Sequence, residues 1–279
     1  MAEEWAVSTP RVLDIGGDGE RVRALSVAVV GGHVDVVTHT DSPTARVEFA
    51  SVQGTAVKVV WDGEKLKITH GVDAQGILDR VRQAFEGLER NRVQVSISVP
   101  EDCTASVSTV SASGLLAGLR SGAKANTVSG SITLDDIEGP IDVNTVSGDV
   151  ECGSLRGSLR VKSVSGTVTA QRSDVPDVSI NTVSGYVTLD LVNGAVTIGS
   201  TSVSGDVTVR APHDGYDVTA NTASGQVVID GHTIDRRSRP ASGRLTDGNA
   251  GLRLKATAVS GNVVVLHTTS APSAASTGA

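Results

Sequence analysis

Histidine, serine and carboxylate side chains are the groups of this 279-residue chain that could carry out catalysis or hold a metal ion. The six histidines are scattered, without the spacing of a metal site and without a pair four residues apart. They are His33, His39, His70, His213, His232 and His267. A Ser-Gly dipeptide recurs along the chain, but it lacks the Gly-x-Ser-x-Gly context of a nucleophile elbow and recurs too often for one active site. Its repetition favours a structural role.

Five aspartates occupy equivalent places in a repeated pattern. Asp135, Asp190 and Asp230 follow a short alternating run, whereas Asp149 and Asp206 follow a glycine. Carboxylates stacked one repeat apart could bind calcium or act as a catalytic pair. The first three do not fall on consecutive repeats, however, and the nonapeptide pattern of calcium-binding β-rolls is absent. We therefore predict no catalytic residue, no cofactor site, no metal ligand and no enzymatic activity.

Cysteine usage and charge restrict the classes of partner. Cys103 and Cys152 are too few for a disulfide framework and lack metal spacing, so buried, reduced thiols are expected. The formal net charge is -7, and the single tight basic cluster, Arg236-Arg237-Ser238-Arg239, is typical of a solvated loop. Because no basic patch is interleaved with aromatic residues, nucleic acid is not an expected partner.

The element that must position any of these groups is a repeat. The phrase Asn-Thr-Val-Ser-Gly, or a close variant, ends in glycine at positions 130, 148, 166, 185, 205, 225 and 261. The steps between these glycines are 18, 18, 19, 20, 20 and 36 residues, the last being two steps of 18. A fixed period of this length indicates a repeat architecture.

Each period holds two short runs in which apolar residues alternate with polar ones, as in Ile141–Thr145 before the glycine and Asp206–Val209 after it. This alternation predicts strands, and a two-strand unit cannot bury its inner face without a neighbour. The sequence therefore predicts an all-β fold, a parallel β-solenoid of roughly eight coils that is ~35 to 40 Å long at ~4.8 Å per strand. The aromatic content of 2% agrees with a narrow core.

Two local expectations concern the corner between the strands. Continuing the alternation on both sides predicts that Thr145 and Val146 both face inward, with Gly148 giving the backbone room to bend. Asparagines at the start of the phrase are expected to stack as a partial ladder. These are Asn126, Asn144, Asn181 and Asn221.

Three segments are predicted: an N-terminal β region (1–100), the solenoid repeats (101–267) and a disordered tail (268–279). Hairpin turns are expected at Gly31-Gly32 and Asp62-Gly63, and the β region is expected to cover one open end of the solenoid.

A short amphipathic helix is predicted at about 75–91. Its apolar stripe is Ile77, Leu78, Val81, Phe85 and Leu88, and packing on its own domain is favoured over a membrane surface or a partner groove.

Toward the C-terminus, Ser242-Gly243 stands midway between Gly225 and Gly261, which predicts a decayed coil. The run Val263–Leu266 ends the last repeat with no obvious cap.

The N-terminus has no basic segment followed by an apolar one, and no run approaches the ~18 apolar residues of a membrane span. A cytoplasmic location is therefore expected.

The Val-Ser-Gly series resembles the bacterial putative-adhesin family of β-strand-repeat proteins, a domain of unknown function common in actinobacteria. The resemblance also covers Trp5 with Thr9-Pro10, the stretch Val30–Val37, Trp61-Asp62-Gly63 and Ser242–Leu245. It implies a solenoid fold without defined catalytic residues.

Three functions remain open. The first is a non-catalytic binding or scaffold module for a protein or polysaccharide surface, because no catalytic constellation is visible. The second is a self-assembling structural or filament element that associates by its ends or faces, suggested by the uncapped Val263–Leu266. The third is a polysaccharide-active β-helix enzyme, which only the aspartates support.

Overall fold

The computed structural model describes residues 2–17, 19–71, 91–212, 215–233, 241–248 and 251–268. Every regular element in these ranges is a strand. The strands are β1 (Glu3–Val7), β2 (Arg11–Ile15), β3 (Ala24–Val29), β4 (Gly31–His39), β5 (Ala45–Gln53), β6 (Val57–Trp61), β7 (Lys65–His70), β8 (Arg92–Pro100), β9 (Thr104–Thr109), β10 (Ser113–Ala117), β11 (Ala123–Thr127), β12 (Ile132–Asp135), β13 (Ile141–Thr145), β14 (Val150–Gly153), β15 (Arg156–Ser163), β16 (Val168–Thr182), β17 (Val187–Leu191), β18 (Val196–Ser202), β19 (Val207–Pro212), β20 (Tyr216–Thr222), β21 (Val227–Ile229), β22 (His232–Thr233), β23 (Ala241–Asp247), β24 (Leu252–Ala258) and β25 (Val263–Thr268).

The strands form two sheets, and the chain alternates between them along the repeats. Sheet A runs β1-β6-β7-β3-β9-β11-β13-β15-β16-β18-β24-β20-β23. Sheet B runs β2-β5-β8-β4-β10-β12-β14-β16-β17-β19-β25-β21-β22. We call one strand of sheet A and the strand of sheet B that follows it a coil. The predicted all-β class is confirmed, and most of the pairings are parallel.

Alternation places the core between the two sheets. In β13, Ile141, Val143 and Thr145 are buried while Asp142 and Asn144 are not, and β11 and β15 pair with β13 so that like residues adjoin. One apolar cluster extends in this way from Val7 to Val265. Stacking therefore supplies the burial that a single coil lacks.

The corner between the strands differs from the expectation. Thr145 faces inward, but Val146 and Ser147 both face outward and the buried position is Gly148. The alternation is thus shifted by two consecutive outward residues, not by two inward ones. The prediction for Val146 was wrong because it continued the alternation of the second strand back past Gly148 to position 146, whereas the alternation breaks at Val146 and Ser147.

Close approach of neighbouring coils explains the corner glycines. A Cβ atom on Gly166 would lie 2.0 Å from the carbonyl oxygen of Gly148, and one on Gly148 would lie 2.2 Å from that of Gly130. Neither glycine has a positive φ. The corner needs glycine because a side chain would collide with the preceding coil, and flexibility is not the reason. The first corner of the series is Val110-Ser111-Ala112, since Gly130 stacks on Ala112.

The order of coils in space departs from their order in sequence at both ends. The coil of β24 and β25 lies between that of β18 and β19 and that of β20 and β21. Likewise β3 lies between β7 and β9, and β4 lies between β8 and β10. Val263–Leu266 is therefore flanked on both sides, and the suggestion that this run forms an uncapped end was wrong.

Antiparallel strands close both ends of the stack in the described part of the chain. At one end β6 and β1 extend sheet A while β5 and β2 extend sheet B. At the other end β23 pairs with β20 and β22 pairs with β21. Ser242-Gly243 lies in β23, so it belongs to a closing strand and not to a decayed coil.

The other N-terminal expectations have mixed outcomes. Asp62-Gly63 joins the antiparallel pair β6 and β7, which confirms a hairpin there. Gly31-Gly32 leads from β3 in sheet A to β4 in sheet B, so it is a corner and the hairpin prediction was wrong.

The predicted helix falls almost entirely on residues 72–90, outside the described residues, as do the Arg236 cluster and the end of the tail from 269 onward. The division at residue 100 stays a prediction.

Candidate functional site

The corner serines are engaged in joining coils. The hydroxyl of Ser147 donates to the carbonyl oxygen of Val128 at 3.0 Å, and that of Ser165 donates to Val146 at 3.1 Å. The same contact, at 3.1–3.3 Å, recurs in the other coils at Ser129, Ser184, Ser204, Ser224 and Ser260. A hydroxyl whose hydrogen is given to a backbone carbonyl has no base to activate it as a nucleophile. The geometry agrees with the structural role inferred from repetition.

A second hydroxyl, buried inside each corner, holds the turn together. Ser202 Oγ donates to the carbonyl of Gly205 at 2.7 Å and accepts from its N–H at 2.9 Å. Thr127 makes the same pair of bonds to Gly130, at 2.9 and 3.0 Å. Since a buried backbone group without a partner is costly, these hydroxyls satisfy the corner from within.

The asparagine ladder is short. Asn144 Nδ2 donates to Asn126 Oδ1 at 3.0 Å, and Asn126 Nδ2 donates to Ser108 at 3.1 Å. Asn181, by contrast, pairs in register with Lys162 and Thr201, and Asn221 with Thr257. The predicted partial ladder therefore includes two of its four members.

The structure separates the aspartates. Asp135 lies in β12, and two strands of sheet B, β14 and β16, stand between it and β17, which holds Asp190. Three strand spacings are ~14 Å, too far for a carboxylate pair. Asp149 accepts from the N–H of Thr167 at 2.9 Å, and Asp206 accepts from the N–H of Asn262 at 2.7 Å. These two join neighbouring coils.

Three of the described histidines contact a carboxylate: His33 lies 2.9 Å from Asp35, His39 lies 3.1 Å from Asp41, and the third is His267. His267 Nδ1 lies 2.7 Å from Asp230 Oδ2, and its ring stacks on Tyr216 with centroids 5.0 Å apart. Burial comes first among the causes that raise the pKa of Tyr216. Across the described ranges, no three His, Cys, Asp or Glu side chains are grouped as a metal site would require.

Both cysteines are free and buried, as the sequence indicated. Burial raises the pKa of the Cys103 thiol to about 12, and Asp102 contributes in the same direction. Burial alone raises the pKa of Cys152 to about 12. Neither thiol is available as a thiolate nucleophile at neutral pH.

An exposed apolar stripe, missed in the sequence, runs along the corner. It consists of the outward valines of successive coils, and we call it the valine row: Val110, Val128, Val146, Val164, Val183, Val203, Val259 and Ala223. Five of the valines, from Val146 to Val259, are 45–54% exposed. The signal was in the sequence, since every phrase except the one with Ala223 has a valine there. It was misread because the alternation was continued through the corner, which placed these valines inward.

A groove of about 410 Å³ follows the valine row on its sheet A side over five coils. The row from Val110 to Val164 forms one wall. Outward residues of the strands form the other wall: Ala28, Ser108, Asn126, Asn144 and Lys162.

A more polar recess of about 320 Å³ lies on the outer face of sheet A. Asp142 and Arg160, paired at 3.2 Å, and Asp177 border it. Gly199, inside β18, lies in the recess, and a Cβ atom there would meet nothing within 4 Å. The fold thus has no steric need for this glycine, and a glycine inside a strand often marks a place where a ligand approaches closely.

At the opposite edge, where sheet B strands lead into sheet A strands, charged side chains of three successive coils pair with one another. Arg120 lies 2.7 Å from Asp136, and Arg156 lies 2.8 Å from Glu138. The hydrogen bond from Arg120 leads the causes that lower the pKa of Asp136. This edge is suited to water, whereas the valine row is not.

No helix in the described part of the chain is long and apolar enough to span a membrane.

Comparison with known proteins adds the family. The search of the curated proteins found no match. Among solved structures, a putative lipid binding protein from Parabacteroides distasonis is 12% identical, with 94% of this chain and 98% of that chain covered and a TM-score of 0.47. A putative adhesin from Bacteroides fragilis is 14% identical, with 93% and 98% covered and a TM-score of 0.43. A putative cell adhesion protein from Clostridium sporogenes is 12% identical, with 93% and 100% covered and a TM-score of 0.33.

The profile of one family, described as Toastrack DUF4097, matches residues 22–266, which includes every Val-Ser-Gly corner. The resemblance to the adhesin-type β-strand-repeat proteins is thereby confirmed, and this chain belongs to the Toastrack DUF4097 family.

Proposed function

We propose that this chain is a non-catalytic β-solenoid that acts as a binding or scaffold module, with the recess on sheet A as its ligand site. One observation carries the proposal: Gly199 weakens the interior of β18 without any steric reason in the fold. An open floor of backbone, bordered by polar side chains, admits a ligand that a larger residue would exclude.

The chemistry of the recess favours a polar polymer. Asp142 and Arg160 offer an acceptor and donors side by side, while Ser179 and Thr197 add hydroxyls. Such groups suit the hydroxyls of a polysaccharide or the polar side chains of a protein surface. The engaged corner serines and the separated aspartates agree with binding without catalysis.

The test is binding by a variant with a filled recess. We expect the purified chain to co-sediment with at least one of peptidoglycan sacculi, chitin and cellulose, or to retain a host protein. Gly199→Thr should weaken that binding at least tenfold while leaving the melting temperature equal or higher. The control, Thr188→Val on sheet B, should bind as the wild type does. Unchanged binding by Gly199→Thr would contradict the recess.

The two other functions make different predictions. A polysaccharide-active enzyme would release products from glycans or esters, and the loss of that turnover on substitution of one aspartate would overturn our proposal. End-to-end self-assembly would pair the outer edges of β1 and β2, or of β22 and β23, with another copy, and it would appear as fibres that lengthen with protein concentration.

The compartment decides which ligand class is relevant. In the native host, we expect external protease to leave the chain intact in whole cells, which would point to a protein partner in the cytoplasm. Cleavage by the protease would show export and would favour a polysaccharide or another cell surface.

A further inference from the structure

The side chains of the valine row are exposed, and the backbone beneath them already makes its hydrogen bonds to neighbouring coils. The N–H groups of Val146 and Ser147 donate to the preceding coil, and the carbonyl of Val146 accepts from Ser165. The row therefore presents methyl groups almost alone. Such a contiguous apolar stripe is typical of an interaction surface, and its partner must be apolar where it touches.

The spacing of the row restricts the shape of that partner. Neighbouring coils are ~4.8 Å apart. A helix presents one face every ~5.4 Å, so it would drift out of register by about 3 Å over six coils. An extended strand laid along the row presents a side chain every ~6.6 to 6.8 Å. Neighbouring strands of another sheet have the same repeat, and a second stack of these coils keeps it along the whole length of the row.

The row and the groove beside it are complementary to each other. The groove lies only on the sheet A side of the row, over the coils from Ala28 to Val164. If a second copy is related by a two-fold axis parallel to the coil axis, its row enters this groove while its own groove receives the first row. In an antiparallel arrangement, the two-fold axis would be perpendicular to the coil axis. The two rows would then face each other, and neither row would enter a groove.

We infer that two copies of this chain associate side by side, coils parallel, with the valine row of each seated in the groove of the other. Such an interface is isologous, so it closes as a dimer and does not propagate into a filament. The inference goes beyond the proposed function and uses a different surface, which leaves the recess on sheet A open.

The dimer is expected to be weak. The half-exposed valines bury roughly a few hundred Å² per copy, below the ~800 Å² per partner of a standard interface. Sedimentation or light scattering should therefore be measured over a concentration series from about 10 μM to about 1 mM.

The first experiment compares two edges of the stack of coils. We expect the wild type to pass from monomer to dimer over the series, and Val146→Lys with Val164→Lys to remain monomeric. Val192→Lys is the matched control, because Val192 is 57% exposed but lies outside the row, and it should dimerise normally. Val146→Thr with Val164→Thr, which keeps the branched shape, should shift the transition to at least several-fold higher concentration.

A second experiment tests the geometry. In the parallel dimer, position 146 meets position 146 of the partner, so Val146→Cys should form a homodimeric disulfide under mild oxidation while Val192→Cys should not. The chain's own Cys103 and Cys152 are buried and do not interfere. A wild type that is monomeric throughout would leave the row to another kind of partner and overturn the inference. A dimer that survives the lysine variants, or equal cross-linking at both positions, would overturn it as well.

Discussion

Glycine at the corners is fixed by contact between coils. Gly166→Ala places a methyl group 2.0 Å from the carbonyl oxygen of Gly148, a backbone atom that cannot rotate away. We expect a loss of roughly 1–3 kcal/mol or more, as for other overpacked sites. Chemical denaturation of the wild type and the variant measures it.

Gly199→Ala is the control for that experiment. It adds the same methyl group to a strand glycine that has open space around it. Since glycine in a strand interior is unfavourable by roughly 0.5–1 kcal/mol relative to alanine, the variant should be neutral or slightly more stable. Equal destabilisation by the two substitutions would refute the close-approach explanation.

His70 makes stability depend on pH. Its buried ring is hydrogen-bonded to the carbonyl of Thr55 through Nε2 at 3.0 Å, and burial lowers its pKa from 6.5. Above pH 6.5 the ring is neutral in both states, so its contribution is complete. As pH falls below 6.5, the unfolded chain binds the proton first and stability is lost until the folded pKa is passed.

The free energy of unfolding of wild type and His70→Gln, measured from pH 8 to pH 5, tests this. The variant should lose part of the slope below pH 6.5, because glutamine can donate the same hydrogen bond without titrating. Identical slopes would show that His70 is not responsible.

At the scale of the element, each corner depends on one buried hydroxyl. Ser202→Ala removes both bonds to Gly205 and leaves a buried N–H and carbonyl without that partner. We expect a loss of about 1–3 kcal/mol in the free energy of unfolding.

Ser202→Thr is the matched control, since threonine occupies the same place at Thr127, Thr145, Thr182 and Thr222. It should unfold at nearly the wild-type denaturant concentration. Equal loss in the alanine and threonine variants would mean that packing, and not the hydroxyl, sets the stability of the corner.

For the whole molecule, the C-terminal coil acts as an internal layer. Deleting residues 249–279 removes β24 and β25, which separate the coil of β18 and β19 from that of β20 and β21. We expect β20 and β21 to lose hydrogen-exchange protection, and the newly open edges of β18 and β19 to promote aggregation.

Deleting residues 269–279 alone is the control, because it removes no described strand. That variant should keep wild-type protection and melting temperature. Full protection of β20 in the longer deletion would show that the coil order described above is not required for its folding.

Several features followed from the sequence alone. The period of the glycines and the alternation within each run determined the all-β class, the stacking of like residues and the inward set such as Val143 and Ile141. These features are local, or they repeat from coil to coil. The alternation of apolar and polar residues and the glycine period of about 18 residues are therefore enough to specify them. The structural role of the corner serines followed for the same reason.

Only the tertiary structure decided the rest. Val146 faces outward because the hydroxyl of Thr145 bonds the carbonyl of Gly148 across the corner while Gly148 lies against the carbonyl of Gly130, a contact between residues 18 positions apart that no single repeat reveals. The coil order could not be read from the chain either. The inward residues of β19, β25 and β21, such as Val207, Val263 and Val227, are nearly interchangeable, so local sequence does not distinguish their neighbours. Long-range hydrogen bonding and the need to close both sheet edges select the arrangement.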